Sequence, residues 1–148
     1  MIIGYTTGVF DLFHVGHVRL LRNARTLCDR LIVGVSTDEL VMEYKNKRPV
    51  ISYNERLEIV SSVQYVDVAV PQHNHDKMEA WQRFKFHKMF VGDDWFKSEK
   101  WKELDKEFEG IGVDIIYFPY TQSTSSTLIN KTLQDLRVDV APKSDLVG

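Results

Sequence analysis

Apolar residues gather in five short runs along the chain, Ile2 to Thr6, Leu31 to Val35, Val66 to Val70, Met89 to Val91 and Val113 to Phe118. Runs of this length without polar alternation suit strands buried on both faces of a sheet. Between them the spacing changes to a helical one. After the first run, Leu20, Ala24, Leu27 and Cys28 recur along one helical face. A second helix is expected from Ser52, where Ser52 and Glu55 match a capping box and Leu57, Ile59, Val60 and Val63 follow. Further helices are expected over roughly Asp76 to Phe86, Ser98 to Phe108 and Ser126 to Leu133. Strands alternating with helices predict an α/β fold of three layers with a parallel five-stranded sheet.

In such sheets a ligand sits outside the carboxyl ends of the strands. Thr7-Gly8, Ser36-Thr37-Asp38, Gly92-Asp93-Asp94 and Tyr120-Thr121 all fall at those ends. The first of them opens the most informative stretch, Thr-Gly-Val-Phe-Asp-Leu-Phe-His-Val-Gly-His from Thr7 to His17. It places His14 and His17 three residues apart at the mouth of the first helix, on one side of its first turn. Backbone N–H groups there have no intrahelical partner, and the aligned peptide dipoles make that end partly positive. Two imidazoles beside it form a donor cluster suited to phosphate oxygens. A helix start also attracts polar side chains for no functional reason. Gly16 weighs against that plain reading, because glycine inside a helical turn costs about 1 kcal/mol relative to alanine and is useful where a ligand must approach the backbone.

Composition narrows the alternatives. The chain has 148 residues, 43% of them hydrophobic, enough for one domain with a sizeable core. Residues 1–135 are read as that domain and 136–148 as a tail that frays or packs as an arm. A net charge of −2 gives no footprint for nucleic acid or for an anionic membrane. No apolar run approaches the ~20 residues of a membrane span, and no basic region followed by an apolar one opens the chain. A cytoplasmic protein is expected. Cys28, the single cysteine, is expected in the core.

The His-x-Gly-His segment, together with Val33 to Glu39, Tyr53-Asn54-Glu55-Arg56, Tyr65-Val66-Asp67, Gly92-Asp93-Asp94-Trp95 and Thr121 to Thr127, resembles the nucleotidyltransferases of that signature. Within them it is most similar to the glycerol-3-phosphate cytidylyltransferases, from about Ile3 to about Leu133. The resemblance implies a Rossmann-like nucleotidyltransferase fold and transfer of a nucleotidyl group from CTP to a small polyol phosphate, giving CDP-glycerol where the acceptor is glycerol 3-phosphate. It implies a homodimer, and Mg2+ carried mainly by the triphosphate, with no metal site built by the protein. His14, His17, Lys47 and Arg56 are then the catalytic residues. Gly8, Val9, Phe10, Asp11, Gly16, Gly92, Asp94, Trp95, Tyr120, Thr121, Ser125, Ser126 and Thr127 join His14, His17 and Lys47 around the nucleotide, and Lys45 and Lys77 hold the acceptor.

Direct attack of an acceptor phosphate oxygen on the α-phosphorus needs no covalent intermediate and no general base, so catalysis reduces to positioning and charge stabilisation. For Lys45 and Lys47 a solvated loop, Lys45 to Pro49, is the plain alternative. Arg56 lies in a first helical turn, where a cation opposes the dipole unless an anion is present, so it is expected to meet a phosphate. The hydroxyls from Ser123 to Thr127 could simply cap the last helix. Two departures from the family pattern are Tyr120 and Gln64, each standing where those enzymes carry arginine. His73-Asn74-His75 resembles a metal-binding pair, but without further ligands an exposed polar loop is expected. An adenylyltransferase acting on a sugar phosphate and a nucleotide-binding regulatory module without turnover both stay open.

Overall fold

The computed structural model describes residues 1–92, 99–119, 131–134 and 136. Along the chain run β1 (Ile3–Gly8), α1 (Val15–Thr26), β2 (Arg30–Ser36), α2 (Asp38–Lys45), α3 (Tyr53–Ser61), β3 (Val68–Gln72), α4 (Lys77–Phe84), β4 (Lys88–Gly92), α5 (Glu99–Gly110) and β5 (Asp114–Phe118). Every strand pairing among the described residues is parallel, in the order β3-β2-β1-β4-β5. The chain therefore winds outward from β1 in one direction, then returns and winds outward in the other. The gap where the order reverses lies between β1 and β4, and there the carboxyl ends of a doubly wound sheet leave a crevice.

The side-chain period of two separates the sheet's faces. Leu31, Val33, Val35 and Phe90 point into a core with Leu21 and Ala24 of α1 and Val60 of α3. Tyr5, Ile32 and Met89 point the other way, against Phe86, Phe108 of α5 and, at the margin, Met78 and Trp81 of α4. Helices thus cover both faces, and the architecture is the three-layer α/β one that the apolar runs predict.

Several local expectations shift. The buried stripe of α1 runs through Leu21 and Ala24, while Leu27 is its C-cap and is exposed. Cys28 lies just beyond the helix, buried, its thiol donating to the Ala24 carbonyl at 3.4 Å. Burial pushes that thiol's pKa up, which suits a core side chain rather than a nucleophile. Ser52 is the N-cap of α3, yet its hydroxyl makes no capping bond, so the Ser52/Glu55 capping box does not form. β3 begins at Val68 rather than Val66, because the Val66 and Asp67 N–H groups go to the Val63 and Leu31 carbonyls first. The segment expected as a loop up to Pro49 includes the end of a helix, α2, capped at its start by the Thr37 hydroxyl on the Leu40 N–H. Residues 131–134 are helical, the part of the last expected helix that is described. Most of the tail and Asp94, Trp95, Tyr120, Thr121, Ser125, Ser126 and Thr127 lie outside the described residues. Among those described, no helix is long and apolar enough to cross a membrane.

Candidate active site

At the end of β1 the backbone makes an unusual descent into α1. Phe10 and Leu12 hold φ of 55° and 50°, in the left-handed region that a side chain with a Cβ rarely adopts. Such conformations cost of order 1–3 kcal/mol and persist where surrounding structure over-determines them. Here the turn sends the Phe10 ring inward, almost fully buried, in an edge-type contact with His17 at 5.4 Å between centroids. A Cβ on Gly8 would come within 2.9 Å of that same ring. The packing of Phe10 thus favours glycine at position 8, an internal reason beside the place at the nucleotide expected of it.

His14 is the N-cap of α1 and His17 its third residue. Their rings lie 4.0 Å apart between centroids, and Phe13 stacks on His17 at 5.1 Å. Each imidazole accepts a backbone hydrogen bond at Nδ1: His14 from Gly16 N–H at 3.0 Å, His17 from His14 N–H at 3.1 Å. An imidazole that accepts at Nδ1 carries its proton at Nε2 when neutral. Burial lowers the pKa of both; for His17, burial, then the nearby His14, take it from the ordinary 6.5 down to about 4, against an upward pull from Asp11. Both rings are therefore neutral near pH 7, and each presents one Nε2–H donor. The arrangement also reduces the number of backbone N–H groups that this helix end can offer a phosphate. Gly16 N–H is taken by His14, and His17 and Val18 N–H both go to the His14 carbonyl.

The cations expected around the site part company. Lys45 is the last residue of α2 and Lys47 lies on the loop that follows, both exposed. Burial and then Lys47 hold the Lys45 pKa below the usual value, while Asp11 raises it, which puts all three in one electrostatic neighbourhood. Lys77, at the start of α4, reaches back to the end of β1 and donates to the Thr7 hydroxyl at 3.0 Å. Burial, then repulsion from Lys100, bring its pKa from 10.5 down to about 8. A cleft opens beside it, lined by Gln72, His73, Asn74, Asp76 and Arg83 among others. His73, Asn74 and His75 are exposed there, the His75 ring meeting Tyr44 edge-on at 4.7 Å. Among the described residues no three His, Cys, Asp or Glu side chains group to hold a metal ion.

Arg56 is the main correction. It is 0% exposed, and four hydrogen bonds occupy its guanidinium: Nε to the Ile51 carbonyl at 2.9 Å, Nη1 to the Val9 and Ser36 carbonyls at 2.7 Å each, and Nη2 to Asp38 at 2.7 Å. The group expected to meet a phosphate is instead enclosed by protein acceptors. Its first-turn position opposes the dipole of α3, as expected, but the compensating anion is Asp38, which also accepts from the Tyr53 N–H at 3.3 Å. The sequence places Asp38 and Thr7 at strand ends but assigns neither of them a partner. Nothing in the spacing joins Asp38 to Arg56 or Thr7 to Lys77 before the sheet brings them together.

A family model described as cytidylyltransferase-like matches residues 5–134. The chain is 38% identical over 132 residues to the glycerol-3-phosphate cytidylyltransferase of Bacillus spizizenii, spanning 88% of this chain and 96% of that protein. It is also 33% identical over 129 residues to the FAD synthase of Thermococcus kodakarensis, spanning 86% of each. Among solved structures, the lipopolysaccharide core biosynthesis protein of Thermoplasma volcanium superposes with a TM-score of 0.68 at 29% identity, over 84% of this chain and 99% of that one. The pantoate-beta-alanine ligase of Francisella tularensis, at 16% identity and a TM-score of 0.64 over 99% of this chain and 74% of that one, shares the fold alone.

Proposed function

The chain belongs to the cytidylyltransferase-like family and is a nucleotidyltransferase, and from that premise we propose that it moves the cytidylyl group of CTP onto a small polyol phosphate, glycerol 3-phosphate first among them. An anionic oxygen of the acceptor phosphate attacks the α-phosphorus; the new P–O bond forms as the bond to the bridging oxygen breaks, and pyrophosphate leaves. No proton has to be removed from the nucleophile. The observation that carries the reading is the pair of neutral imidazoles 4.0 Å apart between centroids at the start of α1, each accepting at Nδ1 and so carrying its proton at Nε2. Aimed at the α-phosphate and the bridging oxygen, they stabilise charge where it develops and need no reorganisation at the moment of reaction. Lys47 supplies positive charge from the loop, Lys45 from the end of α2, and Lys77 from the start of α4, where it donates to the Thr7 hydroxyl. Mg2+ fits this donor set as an ion held mainly by triphosphate oxygens and water, since it demands no protein cage; when bound it neutralises charge on the leaving pyrophosphate.

The base is the open choice between this reading and adenylyl transfer, which the similarity to FAD synthase supports. Glycerol-3-phosphate cytidylyltransferases of three organisms, at 33 to 38% identity, favour CTP. In a competition series at matched concentrations, pyrophosphate release is expected to be fastest with CTP, because a pocket that hydrogen-bonds one base leaves its own polar groups unpaired with another. Faster turnover with ATP moves the chain to the adenylyl side.

Lys77 offers a second check, on the acceptor. With its pKa near 8, part of the Lys77 population is neutral in mildly alkaline solution. A phosphate dianion beside it favours the ammonium form and raises that pKa. Binding of glycerol 3-phosphate at about pH 9 is therefore expected to take up protons, seen calorimetrically as a dependence of the binding heat on the buffer's ionisation enthalpy. Lys77→Met should reduce the uptake. An unchanged uptake in that variant removes Lys77 from the acceptor site.

A further inference from the structure

Ile51 sits between the basic loop and α3, and both of its backbone polar groups are held by residues of the active-site turn or its buried support. Its N–H goes to Asp11 Oδ1 at 2.8 Å, and its carbonyl accepts from Arg56 Nε at 2.9 Å. The neighbouring Val50 N–H goes to Asp11 Oδ2 at 2.7 Å. Asp11 also accepts from Leu12 N–H at 3.1 Å, and Arg56 also grips the Val9 carbonyl. These two side chains therefore span the β1–α1 turn on both sides of Phe10, the residue with left-handed backbone, and tie that turn to residues 50 and 51.

The tie has a geometric consequence for the cations. From Ile51 back to Lys47 is four residues, at most about 14 Å of chain. On its other side the loop is anchored where Asn46, itself at φ 55°, closes α2 by donating its N–H to the Met42 carbonyl. Lys47 thus hangs between one anchor on α2 and another that Asp11 and Arg56 make. We propose that Asp11 and Arg56 are positioning residues of the transfer reaction, which set where the loop carrying Lys47 lies relative to His14 and His17 by holding Ile51 at both backbone groups. The proposal rests on the transfer reading above. It replaces the phosphate contact expected of Arg56 with an indirect role, and it gives Asp11 a defined task, since a carboxylate with two oxygens on Val50 and Ile51 N–H is the acceptor set that this backbone requires.

The test is a double-mutant cycle between the anchor and the cation it positions. Asp11→Asn keeps the shape of the side chain but turns one acceptor oxygen into an amide that cannot accept. With CTP and glycerol 3-phosphate, Lys47→Ala and Asp11→Asn are each expected to lower kcat/KM by about tenfold or more, on the scale of a displaced positioning group. Together they should fall well short of the product: in the Asp11→Asn background, Lys47→Ala should cost less than about a third of its wild-type factor, as coupled sites do. Full multiplication of the two penalties would overturn the proposal. Arg56→Lys keeps the charge without the planar fork and is expected to behave like Asp11→Asn; wild-type kcat/KM in that variant would remove Arg56. Amide hydrogen exchange reads the tie without turnover. Val50 and Ile51 should exchange faster in Asp11→Asn while β1 and β2 amides stay protected, and unchanged exchange at both would show that no tie exists. A wild-type protein inactive with every triphosphate and acceptor would defeat the transfer reading and this proposal together, yet leave the exchange result standing.

Discussion

His17→Ala is expected to lower kcat by roughly 10²- to 10³-fold with the fold retained, the scale for losing one preorganised transition-state donor. The substitution removes Nε2–H and also the Nδ1 acceptor of His14 N–H, so the neighbouring donor is loosened as well. His14→Ala removes the other Nε2–H and the Gly16 N–H acceptor, and about 10²-fold is expected there. Steady-state pyrophosphate release with circular dichroism on the same samples checks both. A folded His17→Ala protein with near wild-type kcat would end the donor role. Acid adds an independent signature. Because the folded-state pKa of His17 is about 4 against an ordinary 6.5, the unfolded chain takes up the proton first as pH falls. The neutral ring's contribution to stability is present above 6.5 and is lost progressively as pH falls from there toward 4. In denaturant titrations the stability gap between wild type and His17→Ala should narrow through that window, and a gap constant with pH would contradict the lowered pKa of the buried ring.

How far the sequence reached can be seen at the two ends of this site. The histidines were legible because their contacts are local: residues 14, 16 and 17 cap one another within a single helical turn, and helix physics fixes that geometry wherever the turn sits in a fold. The alternation of apolar runs and helical spacing was legible for the same reason, as each run needs only its own period to declare itself. Even so, β3 and the stripe of α1 moved by one or two residues, where loop hydrogen bonds rather than side-chain periodicity decide the boundary. α2 was missed because its eight residues bury only Leu40 and Val41, too few to show a face. At Arg56 the local rule holds and the partner is remote. A cation in a first turn does call for an anion, but Asp38 is 18 residues away and the Val9 carbonyl 47, and only the parallel pairing of β1 with β2 brings both to one place.

Arg56 consequently supports the largest stability prediction. Arg56→Met keeps much of the volume and none of the donors, leaving the Val9, Ser36 and Ile51 carbonyls and one Asp38 oxygen without their partner. Removing one member of a buried pair costs about 3–5 kcal/mol, since the groups left behind keep their desolvation penalty. Asp38 is one-third exposed and can rehydrate, which limits its own share; the Ser36 carbonyl bond is buried and has no such recourse. For a domain of this size each kcal/mol moves the melting temperature by about 2–4 °C, so a fall of about 6 to 20 °C is expected. A residue whose task was to bind phosphate would behave in the opposite way: its loss would leave the unliganded protein's melting temperature almost unchanged and show itself only as a higher KM for the nucleotide. Thermal unfolding of Arg56→Met without ligand therefore separates the two roles in one measurement. A shift within about 2 °C of wild type, less than 1 kcal/mol on the same scale, would return Arg56 to the phosphates.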